Sequence, residues 1–339
     1  MGKNKIGICV IGAGRAGRIH MQNFARGVAH ARLSAVVDPL ENAAAGAQQD
    51  FEIPGCYLSY EDAISDKDVD AVVVVSPTVY HEEIVVAAAR AGKHILCEKP
   101  MAMNVAECEA MIHAAVENRV KLQIGFMRRY DAGFVDAKER IDRGDIGDVV
   151  LVKSLTHGPS VPQRWQYDID KSNGPLAEVN SHDIDTLRWF TGSEFSEVYA
   201  IAGNYRCPEA RDEFPDFYDN VVMNAVFANG MQGVIDGAVS VKYGYDARVE
   251  VLGTRGILFV GQLNQNSVVT CSKANGMVTP IIASWRNLFE DAYLREDTDF
   301  VECIRQDREP AVTGFDGMMA VKVVNAGNVS IKNRRPVTL

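Results

Sequence analysis

Two short stretches carry the residue types that proton chemistry needs. Glu98-Lys99-Pro100 follows the apolar run Ile95–Cys97. An ammonium at the end of such a run can polarise a hydroxyl or carbonyl oxygen and stabilise a developing alkoxide, whereas an exposed loop lysine is the plainer alternative. The segment from Gly174 to Arg188 places Glu178, His182 and Asp185 at spacings of four and three. They share a face if one helix runs back through 178, and lie at its mouth if Ser181 is the N-cap. Histidine titrates near neutrality and can accept a hydroxyl proton, with a neighbouring carboxylate fixing its tautomer; a purely structural His beside Asp is the other reading.

A dinucleotide grip precedes both. Gly12-Ala13-Gly14-Arg15-Ala16-Gly17 directly follows the strand-like run Ile6–Ile11 and opens a helix-capable segment. Gly12 suits the tight turn, Gly14 the approach of a pyrophosphate and Gly17 close helix–strand packing. Asp38 ends the run Ala31–Val37, where a carboxylate accepts from ribose hydroxyls and repels a 2′-phosphate. Pro39 leaves no arginine beside it, so NAD(H) is expected over NADP(H). A helix N-cap is a compatible role for Asp38. Ser76-Pro77-Thr78 ends the run Ala71–Val75 and should face the nicotinamide half. The expected cofactor-binding set is Gly12, Gly14, Arg15, Ala16, Gly17, Asp38, Ser76, Thr78, His81 and Glu98.

The elements that must position these groups follow from periodicity. Up to residue 125, β-branched runs (Ile6–Ile11, Leu33–Val37, Ala71–Val75, Ile95–Cys97, Leu122–Ile124) alternate with helical stretches such as Ile84–Ala91 and Val105–Asn118. Consecutive apolar residues fit a parallel sheet covered on both faces. Beyond Phe126 come alternating runs at Val149–Thr156, Val198–Tyr205, Val221–Phe227, Gly233–Ser240, Arg248–Leu252 and Ser267–Thr270, with a hairpin signal at Asn229-Gly230. Helices are expected at Phe134–Arg143, His182–Thr191, Leu288–Asp307 and Phe315–Ile331. The expected architecture is an α/β Rossmann N-terminal domain (1–125) that binds NAD, plus an α+β C-terminal domain (126–339) for substrate binding and oligomerisation. The latter has an open, mostly antiparallel sheet with helices on one face, and its C-terminal segment can pack back on the first domain. The stretches His157–Pro175 and Arg206–Asp219 exceed normal connections and read as binding loops, subunit contacts or surface insertions. In the first, Arg164 to Asp168 could grip a sugar ring or pack between domains.

Composition bounds the partners. A chain of 339 residues with 47% hydrophobic and 24% charged residues is neither disordered nor fibrous, and is long enough for two domains. A net charge of −10, with only Arg128-Arg129 and Arg334-Arg335 as basic pairs, argues against nucleic acid. No apolar run approaches a membrane span. The N-terminal Met-Gly-Lys-Asn-Lys passes straight into a strand, leaving no room for a signal peptide, so a cytoplasmic protein is expected. Seven scattered cysteines without a CxxC suggest reduced thiols and no metal site; Cys97 is either a nucleophile or an ordinary buried thiol.

The order of the glycine motif, Asp38, Glu98-Lys99-Pro100, Gly125-Phe-Met-Arg-Arg-Tyr-Asp131 and the carboxylate-x-x-x-His-x-x-Asp of Glu178, His182 and Asp185 resembles the Gfo/Idh/MocA oxidoreductase family. The likeness spans essentially the whole chain, and Gly125–Asp131 is most similar to inositol 2-dehydrogenases. It implies NAD-dependent oxidation of a secondary hydroxyl of a cyclic polyol or sugar. His182 takes the hydroxyl proton, Lys99 shares or relays it, and the hydride goes to nicotinamide, with Glu178 as the third catalytic group. It further implies that Met127, Arg128, His157, Trp165 and Tyr243 line the polyol site, that the Lys99-Pro100 bond is cis, and that the chain forms a homotetramer. Glu178 stands where many relatives carry Asp, and the extra methylene moves the carboxylate by about 1.5 Å, enough to change which hydroxyl is aligned. Two other readings keep the fold: an NAD-dependent, redox-assisted glycoside hydrolase, and a non-catalytic NAD or sugar sensor.

Overall fold

A computed structural model describes residues 5–339. Residues 1–4, on which the expectation of a missing signal peptide rests, lie outside the described residues. In chain order the first elements are β1 (Ile6–Ile11), α1 (Arg15–Arg26), β2 (Ala31–Val37), α2 (Glu41–Phe51), β3 (Gly55–Tyr57), α3 (Tyr60–Ser65), β4 (Ala71–Val74), α4 (His81–Arg90), β5 (His94–Glu98), α5 (Val105–Glu117) and β6 (Leu122–Gly125). The strands form one parallel sheet in the order β3-β2-β1-β4-β5-β6. Strand order reverses between β1 and β4, so their carboxyl ends open a crevice, the usual ligand position in an open α/β sheet. The strand interiors Ile8, Val10, Val36, Val73 and Leu96 are buried because helices cover the sheet.

The chain continues through α6 (Ala132–Asp142), β7 (Val149–Gly158), α7 (Arg164–Tyr167), α8 (Ile169–Ser172), α9 (Gly174–Glu178), α10 (Ser181–Thr191), β8 (Phe195–Gly203), β9 (Asn220–Phe227), β10 (Gln232–Val239), β11 (Asp246–Gly253) and β12 (Ile257–Val260). A small hairpin, β13 (Thr270–Ser272) and β14 (Gly276–Val278), leads to α11 (Trp285–Leu288), α12 (Glu290–Gln306), α13 (Gly314–Asn333) and β15 (Val337–Thr338). The second sheet runs β12-β11-β7-β10-β9-β8-β15 and is antiparallel except for the β7–β10 pair. Alternation along β7 sends Ser154 and Thr156 to Asp183 of α10, and Lys153 to Glu250 on the opposite face. The Asn229-Gly230 turn joins β9 to β10, with Gly230 at φ 84°. The expected strand Ser267–Thr270 does not form: only Thr270 enters a strand, in the exposed hairpin, because Val268 and Val269 find no sheet to lie against.

The chain divides into two compact units, one running through Tyr130 with Glu290–Val321 added, the other comprising Asp131–Phe289 and Lys322–Leu339. This differs from a boundary at 125. The turn Met127–Tyr130 stays with the first unit because Arg129 pairs with Asp316 at 2.9 Å and the Tyr130 hydroxyl donates to Asp299 at 2.8 Å. Helix α12 adds Phe300 and Val301 to the core of the same unit.

Candidate functional site

In the first unit the three motif glycines meet three different constraints. Gly12 has φ 113°, and a Cβ there would lie 2.7 Å from the Val75 carbonyl oxygen. A Cβ on Gly17 would come within 1.9 Å of the Gly12 carbonyl oxygen, so helix and strand touch only because that atom is missing. A Cβ on Gly14 would meet nothing within 4 Å. The protein's own atoms therefore do not require glycine at 14, while a pyrophosphate laid against the start of α1 does. That helix begins with no side-chain cap and no acidic residue in its first turn, leaving its amide groups to an anion. Arg15 and Ala16, also expected to touch the cofactor, are the first residues of α1.

Asp38 lies beside the glycine turn. Its Oδ2 accepts from the Ala13 N–H and its Oδ1 from the Leu40 N–H, each at 2.9 Å, which fixes the carboxylate beside the glycine turn. It is not the N-cap residue of α2, a position that Leu40 occupies without a side-chain cap. Ser76 and Thr78 follow β4. The buried Ser76 hydroxyl has no hydrogen-bond partner among the described residues, as suits a group reserved for a ligand. The His81 ring lies between the carbonyls of Ser76 and Pro100, at 2.8 and 2.9 Å, and ties the ends of β4 and β5 together. Burial pulls its pKa below the ordinary value, against the two carbonyls. Glycine loop, Asp38 and the orphaned hydroxyl together fit NAD.

Lys99 follows the last residue of β5, and the Lys99-Pro100 bond is cis. The Lys99 N–H donates to Glu98 Oε2 at 3.0 Å. Cys97 is fully buried; burial, then the Glu98 charge, push its thiol well above its ordinary pKa, as expected of an ordinary packed thiol. Met127 and Arg128 occupy the turn after β6 with 2% and 1% exposure.

In the second unit the helix does not run back through 178. Helix α9 ends at Glu178 and α10 begins at Ser181, with Asn180 as its N-cap residue, so the Glu178–His182 spacing bridges a break. Glu178 Oε2 accepts from Gln166 Nε2 at 3.1 Å. His182, 6% exposed, lies in the first turn of α10. Its neighbour Asp183 anchors that turn, accepting from Ser154 Oγ (2.5 Å), Thr156 Oγ1 (2.9 Å) and Asn180 Nδ2 (2.8 Å). Asp183 and Asn180 were not anticipated; the readable signal was Gly237, where a Cβ would lie 2.0 Å from Asn180 Oδ1. Asp185 is buried one turn on.

His157 and Tyr243 meet: His157 Nδ1 lies 2.5 Å from the Tyr243 hydroxyl, which donates to Asp246 at 3.0 Å, and His157 Nε2 is 3.1 Å from Asp236. The residues 164–168 separate in role. Arg164 pairs with Glu213, Trp165 Nε1 donates to Gln163, Gln166 holds Glu178, and Tyr167 is buried against Phe217. The two long irregular stretches thus pack on one another around Tyr167, Cys207, Ala210 and Phe217.

A reversing parallel sheet with a glycine turn, a strand-end aspartate and a lysine on the same edge defines a dinucleotide-binding protein of Rossmann type. Residues 6–126 match the oxidoreductase family described as having an NAD-binding Rossmann fold, and residues 138–339 match its C-terminal alpha/beta domain. The chain belongs to this Gfo/Idh/MocA oxidoreductase family and uses NAD. It is 32% identical to the scyllo-inositol 2-dehydrogenase (NAD(+)) of Bacillus subtilis, covering 99% of this chain and 97% of that one. It is 33% identical to the myo-inositol 2-dehydrogenase of Thermotoga maritima, over 98% of each chain. The crystal structure of scyllo-inositol dehydrogenase from Lactobacillus casei with bound NAD(H) and scyllo-inositol has a TM-score of 0.90 at 27% identity, covering 98% and 99%.

Proposed function

We propose that the chain is an NAD-dependent inositol dehydrogenase, oxidising one ring hydroxyl of a cyclic polyol to a ketone. The observation that carries the reading is Lys99, at the carboxyl end of β5 on the sheet edge that also holds the Gly12 turn and Asp38, in a chain similar over its full length to named inositol dehydrogenases. NAD⁺, when bound, supplies the hydride acceptor. Asp38 holds the adenosine ribose and selects against a 2′-phosphate. Glu98 is a cofactor-side neighbour that fixes the Lys99 backbone. His182 removes the hydroxyl proton as the carbonyl forms, Lys99 stabilises the oxygen and relays the proton, and Glu178, steadied by Gln166, aligns the ring. Met127, Arg128, His157, Trp165 and Tyr243 complete the polyol contacts.

The test is a panel of inositols and monosaccharides with NAD⁺ and NADP⁺, followed by NADH absorbance, on the parent chain and on Lys99→Ala and His182→Ala. Losing either proton-handling group is expected to lower kcat by about 10²–10⁴-fold with NAD⁺ binding retained. Undiminished turnover in either variant rules out its assigned role. We further place the enzyme in the cytoplasm, where cysteines remain reduced, since all seven are free thiols; cell fractionation checks this.

A further inference from the structure

Behind Lys99 the first unit buries a chain of ionisable groups of which the proposed mechanism uses only Glu98. His20, on α1, is completely inaccessible. Its Nδ1 lies 2.7 Å from Asp297 Oδ1 and its Nε2 3.3 Å from Glu98 Oε1. Asn23, three residues further along α1, donates to the second Asp297 oxygen at 2.8 Å. The Tyr293 ring closes the pocket edge-on, with centroids 5.5 Å apart. Burial alone would strip His20 of its proton, but the Asp297 carboxylate, and then Glu98, outweigh it and hold its pKa well above the ordinary value. An imidazolium here has an N–H for each of the two carboxyl groups, and burial raises the Asp297 pKa as well.

Stability alone is a weak reason for such a cluster. Buried ion pairs are often no better than apolar packing of the same volume, because their desolvation offsets their attraction. What distinguishes this one is where it ends. Glu98 Oε1 faces His20, while its Oε2 takes the N–H of Lys99. Room for that carboxylate is made on the neighbouring strand: Gly125 is the register partner of Glu98, and a Cβ there would lie 2.9 Å from the Glu98 carboxyl carbon. Asp297, His20 and Glu98 therefore form a line of side chains that terminates on one backbone amide, that of the lysine.

We infer that His20 and Asp297 are positioning residues for Lys99: acting through Glu98, they fix the backbone from which the ammonium is presented to substrate. The inference rests on the reading of Lys99 as a proton-handling group. A displacement of about 1 Å at a reacting group costs up to 10²-fold in rate, so loosening this support should act on turnover and not on cofactor affinity.

The experiment compares parent, His20→Leu and Lys99→Ala, with His20→Gln replacing the leucine variant should that one fail to fold. Turnover is read with the best inositol of the panel, NAD⁺ affinity by fluorescence titration, and the lysine itself by its acetylation rate relative to the exposed Lys273, using an N-hydroxysuccinimide ester and peptide mass spectrometry. The His20 variant is expected to lose about 10–10²-fold in kcat with NAD⁺ affinity little changed, and its Lys99 should acetylate several-fold faster as the turn loosens. The inference stands only if kcat and the acetylation ratio both move. A variant in which either stays at the parent value, or in which kcat falls only in step with NAD⁺ affinity, overturns it. Full turnover by Lys99→Ala would instead sink the functional reading and leave the acetylation comparison intact.

Discussion

Glu296 shows what burial does to a single carboxyl. It is fully inaccessible, and neither of its oxygens has a hydrogen-bond partner among the described residues. Burial, then the nearby Glu98 charge, raise its pKa well above 4.5, favouring its protonated form in the folded chain. A folded-state pKa above the unfolded one means that its contribution to stability is whole below about 4.5 and is lost as pH rises toward the folded value. The His20 contribution has the same sign: whole below 6.5 and lost as pH climbs through its raised value. Glu296→Gln, which cannot ionise, should therefore unfold at a higher temperature than the parent at about pH 8, with the gap closing near pH 5. Scanning calorimetry at the two pH values checks this, and a gap that widens toward acid would contradict it. None of this chemistry was visible in the sequence. Asp297 lies 277 residues from His20, and nothing local to either names the other. By contrast Lys99, Asp38 and the glycines could be read directly, because each sits at the end of a short apolar run whose place in a sheet is a local property.

At the scale of elements, the glycine turn separates two kinds of necessity. Gly17→Ala drives a Cβ into the Gly12 carbonyl and is expected to cost the fold about 1–3 kcal/mol. Gly14→Ala meets no protein atom, and its backbone at φ −72° is open to alanine, so stability should hold while NAD⁺ affinity falls. Chemical denaturation and a cofactor titration on the two variants test the contrast; it fails if Gly14→Ala destabilises as much as Gly17→Ala. The limits of periodicity lie in the same scale. The alternation that located β7 to β11 equally fitted Ser267–Thr270, where no neighbouring strand was waiting. The spacing of Glu178 and His182 permitted a continuous helix, but the chain breaks at Val179 and Asn180 so that Asn180 can reach Asp183.

For the whole molecule, the second sheet presents one face with exposed apolar side chains. Helices such as α10 cover one face, while the other leaves Tyr199, Ile201, Val226 and Phe259 exposed, between 37% and 70%. We propose that copies of the chain associate across this face into a homotetramer, which would bury these side chains and shield the outer strands. Light scattering after size exclusion checks the mass, and Phe259→Glu should shift it downward; a parent chain that elutes as a monomer at micromolar concentration refutes the proposal.

The return of Glu290–Val321 to the first unit also bears on how the protein is made. A ribosome that has released the glycine turn, Asp38 and Lys99 has still not synthesised Asp297, the counter-charge to His20, nor Phe300 and Val301 of the core. The first unit therefore cannot complete its core, or bury His20 against its counter-charge, until residues 297–301 have left the ribosome, and translation order gives the glycine turn no head start over them.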